Sequence, residues 1–288
     1  MDFFLAFSPE REDPGNQGHS TASIPKVVAG DGPAASTLVA AFYGSVVERV
    51  VPVSTTRAAE AVKLTENIFR AVNIALANEL KVIYDAMGVD IWEVIAAAAT
   101  KPFGYMPFYP GPGLGGHCIP IAPFYLAWKA REFDLSTRFI ELAGEVNLAL
   151  PAYVIARLER ALDQTLSRSL GSSSILIIGL AYKKNVSDIR ESPSLKLIQL
   201  LDGRGARVEF HDPLVPAIGP TREHPDLTGR QSQPLSAESI ASVDAVLIAT
   251  DHDAVDYAMI AERARLIVDT RNAIRRRDLI PSGRLVLA

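Results

Sequence analysis

The one cysteine of the chain, Cys118, stands in "YPGPGLGGHCIPIAPFY" (109–125), among four prolines and four glycines. A cysteine thiolate is an intrinsically strong nucleophile. Gly113, Gly115 and Gly116 expose backbone N–H groups beside it and let a ligand come close. Such amides stabilise a thiolate or an oxyanion. The competing reading is a small buried hydrophobe. Gly111, Gly113 and Gly116 also satisfy G-x-G-x-x-G. That pattern binds a dinucleotide only between a strand and a helix. Here "KPFGYMPFYP" precedes it, and Pro120 and Pro123 oppose helix entry after it, so the dinucleotide reading is set aside. His117 reads as a solvated loop histidine rather than a base.

Lys63 and Asn67 lie four apart in a long helical pattern and share one face. A positive charge and a fixed amide donor are what an oxyanion requires; a solvated polar stripe has the same spacing. Glu10, in "SPERED", follows a strand end, where active-site groups and surface charge clusters both occur. Lys183, Lys184 and Arg190 follow a later strand, and Arg271 follows another. Basic residues at strand ends suit phosphate; ordinary loop charge is the alternative.

A length of 288 residues fits about two domains. A net charge of −4 leaves no basic surplus for nucleic acid. The sequence shows no apolar run near the ~18 residues of a membrane span, so neither nucleic acid nor membrane is expected as a partner. The opening "MDFFLAFSPERED" lacks the basic start of a signal peptide. One cysteine forms no intramolecular disulfide and no Cys-cluster metal site, and it suits a reducing cytoplasm.

The elements that must position these residues read as follows. Phe3 to Phe7 is expected as a short buried strand, with "IPKVVAG" and "ERVVPV" as further strands around the helix "AASTLVAAFYGSV". "STTRAAEAVKLTENIFRAVNIALANELKVIYDAMG" is one long helix, started by Ser54, Thr55 or Thr56 and ended by Gly88. "DIWEVIAAAAT" is a shorter helix. "STRFIELAGEVNLALPAYVIARLERAL" is helical, with Pro151 expected to kink or divide it. After "GSSS" (171–174), "SILIIGL", "ARVEFHD", "DAVLIAT" and "RLIVDT" alternate with helical patterns. This alternation predicts a doubly wound α/β domain with ligands at the strand C-terminal ends. Gly179 is the sole glycine of its first turn.

"FLAFSPERxDPGN", "KLTENIFRAVNIALANEL", "GPGLGGHCIPIxPFYL" and "GLAYKKNVSDIRESPS" together resemble the UDP-sugar 6-dehydrogenases of the UDP-glucose/GDP-mannose dehydrogenase superfamily. The resemblance is strongest to the branch acting on UDP-N-acetylglucosamine or UDP-N-acetylmannosamine. It implies an α/β chain in three parts: 1–54, the C-terminal remnant of an NAD-binding Rossmann domain; 55–168, an all-helical dimerisation and active-site region; and 169–288, a doubly wound UDP-binding domain. It also implies that the chain starts inside the first domain, with on the order of 100 residues and the glycine fingerprint lying upstream, and that the chain alone gives no turnover.

The implied chemistry is NAD-dependent oxidation of the sugar's C6 alcohol to the acid, through a thiohemiacetal and a thioester on Cys118. By motif match, Lys63 and Asn67 steady the oxyanion and Glu10 activates water. Gly113, Leu114 and Gly115 hold the sugar, Lys183 and Arg271 bind substrate, and Arg190 reaches the NAD phosphates. A homodimer through the central helices is implied. One departure stands out: the family motif has aspartate four residues after the cysteine, and this chain has Ala122. A non-catalytic UDP-sugar-binding or dimerising remnant is the alternative reading of the same residues.

Overall fold

The computed structural model describes residues 3–288 except Pro14, Asn16, Gln17, His117 and Cys118. The first layer is a small sheet in the order β1-β2-β3, made of β1 (Ala6–Phe7), β2 (Lys26–Gly30) and β3 (Val50–Pro52), with α1 (Pro33–Gly44) between the last two. β1 is antiparallel to β2, and β3 is parallel to it. The strand expected over Phe3–Phe7 shortens to its last two residues, and Phe3, Phe4 and Leu5 are exposed. β1 is an edge strand, so an apolar run there is not covered from both sides.

α2 (Thr56–Met87) is a single helix. Thr55 accepts from the Ala58 amide at its start, and Gly88 closes it with φ 72°, as the sequence leads one to expect. Its buried face is lined by small and amide side chains: Ala59, Asn67, Ala71, Ala75 and Asn78. Val27, Ala29 and Ala59 form a small core that fastens the first sheet to this helix. Phe69, Leu76 and Ile83, spaced by sevens on α2, are exposed. α3 (Ile91–Ala98) follows, then the proline-glycine loop, α4 (Ala122–Ala130) and α5 (Arg138–Leu166).

α5 runs unbroken through Pro151, so of the expected kink or division the division does not occur. Proline has no N–H for the carbonyl four residues back, here Asn147. That carbonyl oxygen lies 3.4 Å from where a Cβ on Gly113 would sit, so the freed group faces the loop, and buried Leu150, Val154 and Ile155 hold the helix on both sides of the proline. α5 is also long and apolar enough to cross a membrane, with an 18-residue window of mean hydropathy 1.4. The run-based expectation missed this because polar residues interrupt the stretch. Its second half is core instead: Val154, Ile155, Leu158 and Leu162 pack with Ile175 and Ile177 of the last sheet.

That sheet has the order β5-β4-β6-β7-β8. The strands are β4 (Ser174–Ile178), β5 (Arg207–His211), β6 (Ala245–Ile248), β7 (Leu266–Asp269) and β8 (Arg284–Leu287), all parallel. Ile175 and Ile177 face α5 and α6 (Pro193–Asp202). Leu176 and Ile178 face the layer of α7 (Ala237–Ala241) and α8 (Tyr257–Arg263). Strand order reverses between β4 and β6, the place where open α/β sheets bind ligands. β8 has no counterpart among the strands read from sequence.

Candidate functional site

Along α2, Lys63, Asn67, Arg70 and Ile74 advance by four, three and four residues, one helical stripe. All four line a cavity of about 600 Å³. Its opposite wall is the segment 182–190 after β4, and its floor is the glycine loop. Glu10, Gly113, Leu114, Gly115, Lys183, Arg190 and Arg271, named from sequence, line it as well. Cys118 lies outside the described residues; Gly116 and Ile119 on either side of it line the cavity. Lys184 turns elsewhere and pairs with Asp253 at 2.9 Å. Lys63, Arg70, Lys183, Arg190 and Arg271 oppose Glu10, Glu12 and Asp13. Arg190 is also paired with Asp188 at 2.6 Å, which leaves one surplus positive charge, matching a diphosphate in sign.

Glu10 and Lys63 meet directly, with Lys63 Nζ 2.6 Å from Glu10 Oε2. Partial burial resists ionisation of Glu10, but the Lys63 hydrogen bond, the Glu12 amide and the Lys63 charge outweigh it and hold the carboxyl below its usual range. Glu10 is therefore an ionised acceptor at neutral pH. The loop carrying it is pinned by Ser8, which donates to the Val27 carbonyl, and by Arg11, which donates to Glu66 on α2 at 2.6 and 3.0 Å. Lys183 reaches back to Asp13 at 2.5 Å, tying the last domain to the first layer.

Asn67 is buried, and its Nδ2 has no hydrogen-bond partner among the described residues. A solvated stripe does not describe it. Leaving a buried donor unmade costs about 1–3 kcal/mol, so this amide is held ready for an acceptor. Arg271 donates from Nε to the Ala249 carbonyl at 2.8 Å. Burial pulls its pKa down while Asp251 and Asp269 push it up; an arginine there stays charged. A Cβ on Gly111 would come within 2.4 Å of Arg271 Nη1. The first glycine therefore makes room for this guanidinium rather than for a pyrophosphate.

The remaining loop glycines serve docking. Gly116 N–H donates to the Arg190 carbonyl at 3.0 Å. Gly115 packs against Tyr182, Glu191 and Pro193. Behind the loop, Gly111 N–H donates to Asn78, Asn78 donates to Asn147, and Asn147 donates to the Ala71 carbonyl, at 3.0, 2.9 and 3.2 Å. This buried amide relay ties the loop to α2 and α5. Sequence reading passed over Asn78 and Asn147; the available signal was an amide on an otherwise small-residue helix face.

A second missed device holds the 182–190 segment. Asn185 N–H donates to His252 Nδ1 at 2.9 Å, which leaves Nε2–H to donate to Asp212 at 3.0 Å. Asp212 also accepts from the amides of Leu180, Ala181, Leu214 and Val215. Burial opposes its ionisation, but the His252 bond and these amides prevail and set the carboxyl at about 2. With the folded pKa below the unfolded value, the stabilisation is present above about pH 4 and is lost as pH falls toward 2. It amounts to about 2 kcal/mol. We expect the acid limb of the melting profile over that window to flatten in Asp212→Asn. An unchanged limb would remove Asp212 as the anchor.

Ala122 is half-buried at the start of α4. That helix has no acidic residue in its first turn and no side-chain cap, so an aspartate there is favoured by the helix dipole as well as by the family pattern.

Residues 57–149 match the central domain of the UDP-glucose/GDP-mannose dehydrogenase family, and residues 176–276 match its UDP binding domain. The UDP-N-acetyl-D-glucosamine 6-dehydrogenase of Pseudomonas aeruginosa is 34% identical over 254 residues, which are 87% of this chain and 58% of that protein. The NDP-N-acetyl-D-galactosaminuronic acid dehydrogenase of Ralstonia nicotianae is 35% identical over 94% of this chain and 61% of its own length. The solved UDP-D-ManNAc dehydrogenase of Pyrococcus horikoshii superposes with a TM-score of 0.84 at 31% identity, covering 99% of this chain and 64% of that one. The chain thus spans about three fifths of the length of the curated relatives it matches. Two family domains in order, on the helices and the parallel sheet that wall the cavity, place this chain in the UDP-glucose/GDP-mannose dehydrogenase family.

Proposed function

We propose that the cavity is the substrate site of an NAD-dependent UDP-sugar 6-dehydrogenase acting on a UDP-N-acetylhexosamine in the cytoplasm and supplying a uronic acid for polysaccharide. The observation that carries this reading is the convergence of Glu10, Lys63, Asn67 and Arg271 with the glycines flanking Cys118 around one cavity with a positive surplus. Lys183 and Arg271 bind the diphosphate, and Gly113, Leu114 and Gly115 hold the sugar. The Arg190 guanidinium has the charge and forked shape for a phosphate of NAD. Two NAD molecules, bound in succession, would each supply an acceptor for one of the two hydrides that leave C6.

The first oxidation leaves an aldehyde and releases the alcohol's proton to water. The Cys118 thiolate adds to the aldehyde carbon, and the oxygen takes the negative charge, which Lys63 and Asn67 stabilise. Loss of the second hydride leaves a thioester. Glu10 takes a proton from water, which attacks the thioester carbon; the carbon–sulfur bond breaks, giving the thiolate and a carboxylic acid that releases its proton to solvent. Exposed Phe69, Leu76 and Ile83 on α2 supply an apolar stripe for a homodimer.

The reading is tested without turnover. UDP-N-acetylglucosamine, UDP-N-acetylmannosamine and UDP-glucose are titrated calorimetrically into the chain. Binding is expected, weakened at least tenfold in Arg271→Ala; no heat from any of the three with a folded protein would refute it. The C6 aldehyde of UDP-N-acetylglucosamine should slow alkylation of Cys118 by iodoacetamide at least tenfold. Equal rates with and without it would leave the remnant that binds UDP-sugar without catalysis.

A further inference from the structure

A second cavity, about 480 Å³, opens at the seam between the central helices and the last sheet. It shares no lining residue with the substrate cavity. Five cations line it, Lys81, Arg157, Arg160, Arg275 and Arg284, against two carboxylates, Asp85 and Asp90. Two of the cations are neutralised. Lys81, fully buried, donates to both oxygens of Asp85 at 2.6 Å, and Arg275 pairs with Asp90 at 2.6 Å.

Among the described residues, three guanidiniums are left without a carboxylate hydrogen bond. Among the described residues, Arg157 hydrogen-bonds the Leu287 carbonyl, at 3.4 Å. Its Nε is buried with no hydrogen-bond partner among the described residues and stands 3.9 Å from Asp85. Asp85 is already engaged by Lys81 and by the Tyr153 hydroxyl. Arg284 donates to the neutral Gln164 amide oxygen at 3.1 Å. Arg160, exposed at the rim, has no hydrogen bond or ion pair among the described residues.

Uncompensated like charges facing one space repel, and a buried N–H without an acceptor is unfavourable. A multivalent anion relieves both. Arginine forks bind phosphate oxygens two at a time, and the volume is in the range of small-ligand pockets. We propose that this cavity is a separate site for an oligophosphate, inorganic or carried on a nucleotide. Arg157 and Arg160 come from α5, and Arg284 comes from β8. An anion held among them ties the central helices to the last sheet away from the substrate.

The experiment is calorimetry on the full chain with UDP present in excess, so that the substrate cavity is filled. Tripolyphosphate and ATP are the probes. One further binding event is expected, weakened at least tenfold in Arg160→Gln/Arg284→Gln, with UDP affinity within twofold of the parent. Both positions lie at the surface, and a melting temperature close to the parent's verifies the fold; Arg160→Gln alone, expected to weaken binding at least threefold, serves if the pair does not fold. Equal affinity for the two probes assigns recognition to the phosphates, and tighter ATP binding adds a contact to the base. No binding in the presence of UDP, or binding unchanged by the substitutions, overturns the proposal. UDP failing to bind would count against the substrate site only, because the arginine variants still report on this one.

Discussion

Gly115→Ala is expected to weaken UDP-sugar binding by at least about 100-fold, close to 2.7 kcal/mol, while the chain keeps its fold. A Cβ at this position would lie 2.7 Å from Tyr182 Cβ, 2.8 Å from the Glu191 carbonyl oxygen and 2.9 Å from Pro193 Cδ. None of these is the free end of a flexible side chain. One is backbone, one is a proline ring, and one is the first carbon of a side chain. The loop therefore has to withdraw, breaking the 3.0 Å bond from Gly116 N–H to the Arg190 carbonyl. None of Tyr182, Glu191 and Pro193 belongs to an apolar core cluster, so the melting temperature should fall by only a few degrees. Titration with UDP-N-acetylglucosamine decides the matter; affinity within threefold of the parent would show that the loop contact does not shape the site.

The second large effect is a trade. Asn67→Leu is expected to raise stability by about 1 kcal/mol, because it removes a buried donor that has no acceptor. The same change should slow capture of the C6 aldehyde at Cys118 by about 10²-fold, the usual consequence of deleting one oxyanion donor. Thermal melting and the alkylation-protection rate measure the two halves separately. A less stable variant would mean that the amide is already bonded in the free protein. Stability gained with the capture rate unchanged would remove Asn67 from the chemistry.

Much of this site was legible because its parts are local. Lys63 and Asn67 share a helix face whatever α2 packs against, and extending the same stripe reaches Arg70. The glycine loop announced itself by composition, and its failure as a dinucleotide turn followed from Pro120 and Pro123. The supports were not legible because they join residues distant in sequence. Asn78 meets Asn147 across 69 residues, and Asp212 meets His252 across 40. Asparagine and aspartate are common at turns and surfaces, so nothing local marks them as buried anchors. Pro151 misled for the opposite reason. Its local rule forecasts a kink or a break, and the packing of Leu150, Val154 and Ile155 keeps α5 from breaking. The exposed Phe3, Phe4 and Leu5 show that an apolar run fixes strand tendency without fixing what covers it.

The second half of α5 has a consequence for modularity. Val154, Ile155, Leu158 and Leu162 belong to a helix that begins among the central helices, yet they fill one face of the last sheet. A UDP-binding unit cut at the turn before β4 would expose Ile175, Ile177 and Leu247 to water. Any exchange of this sheet between relatives must therefore carry residues from about 150 onward. For the same reason Pro151 and the Asn147 carbonyl sit at the junction of two inheritable blocks, and the loop that faces that carbonyl depends on both.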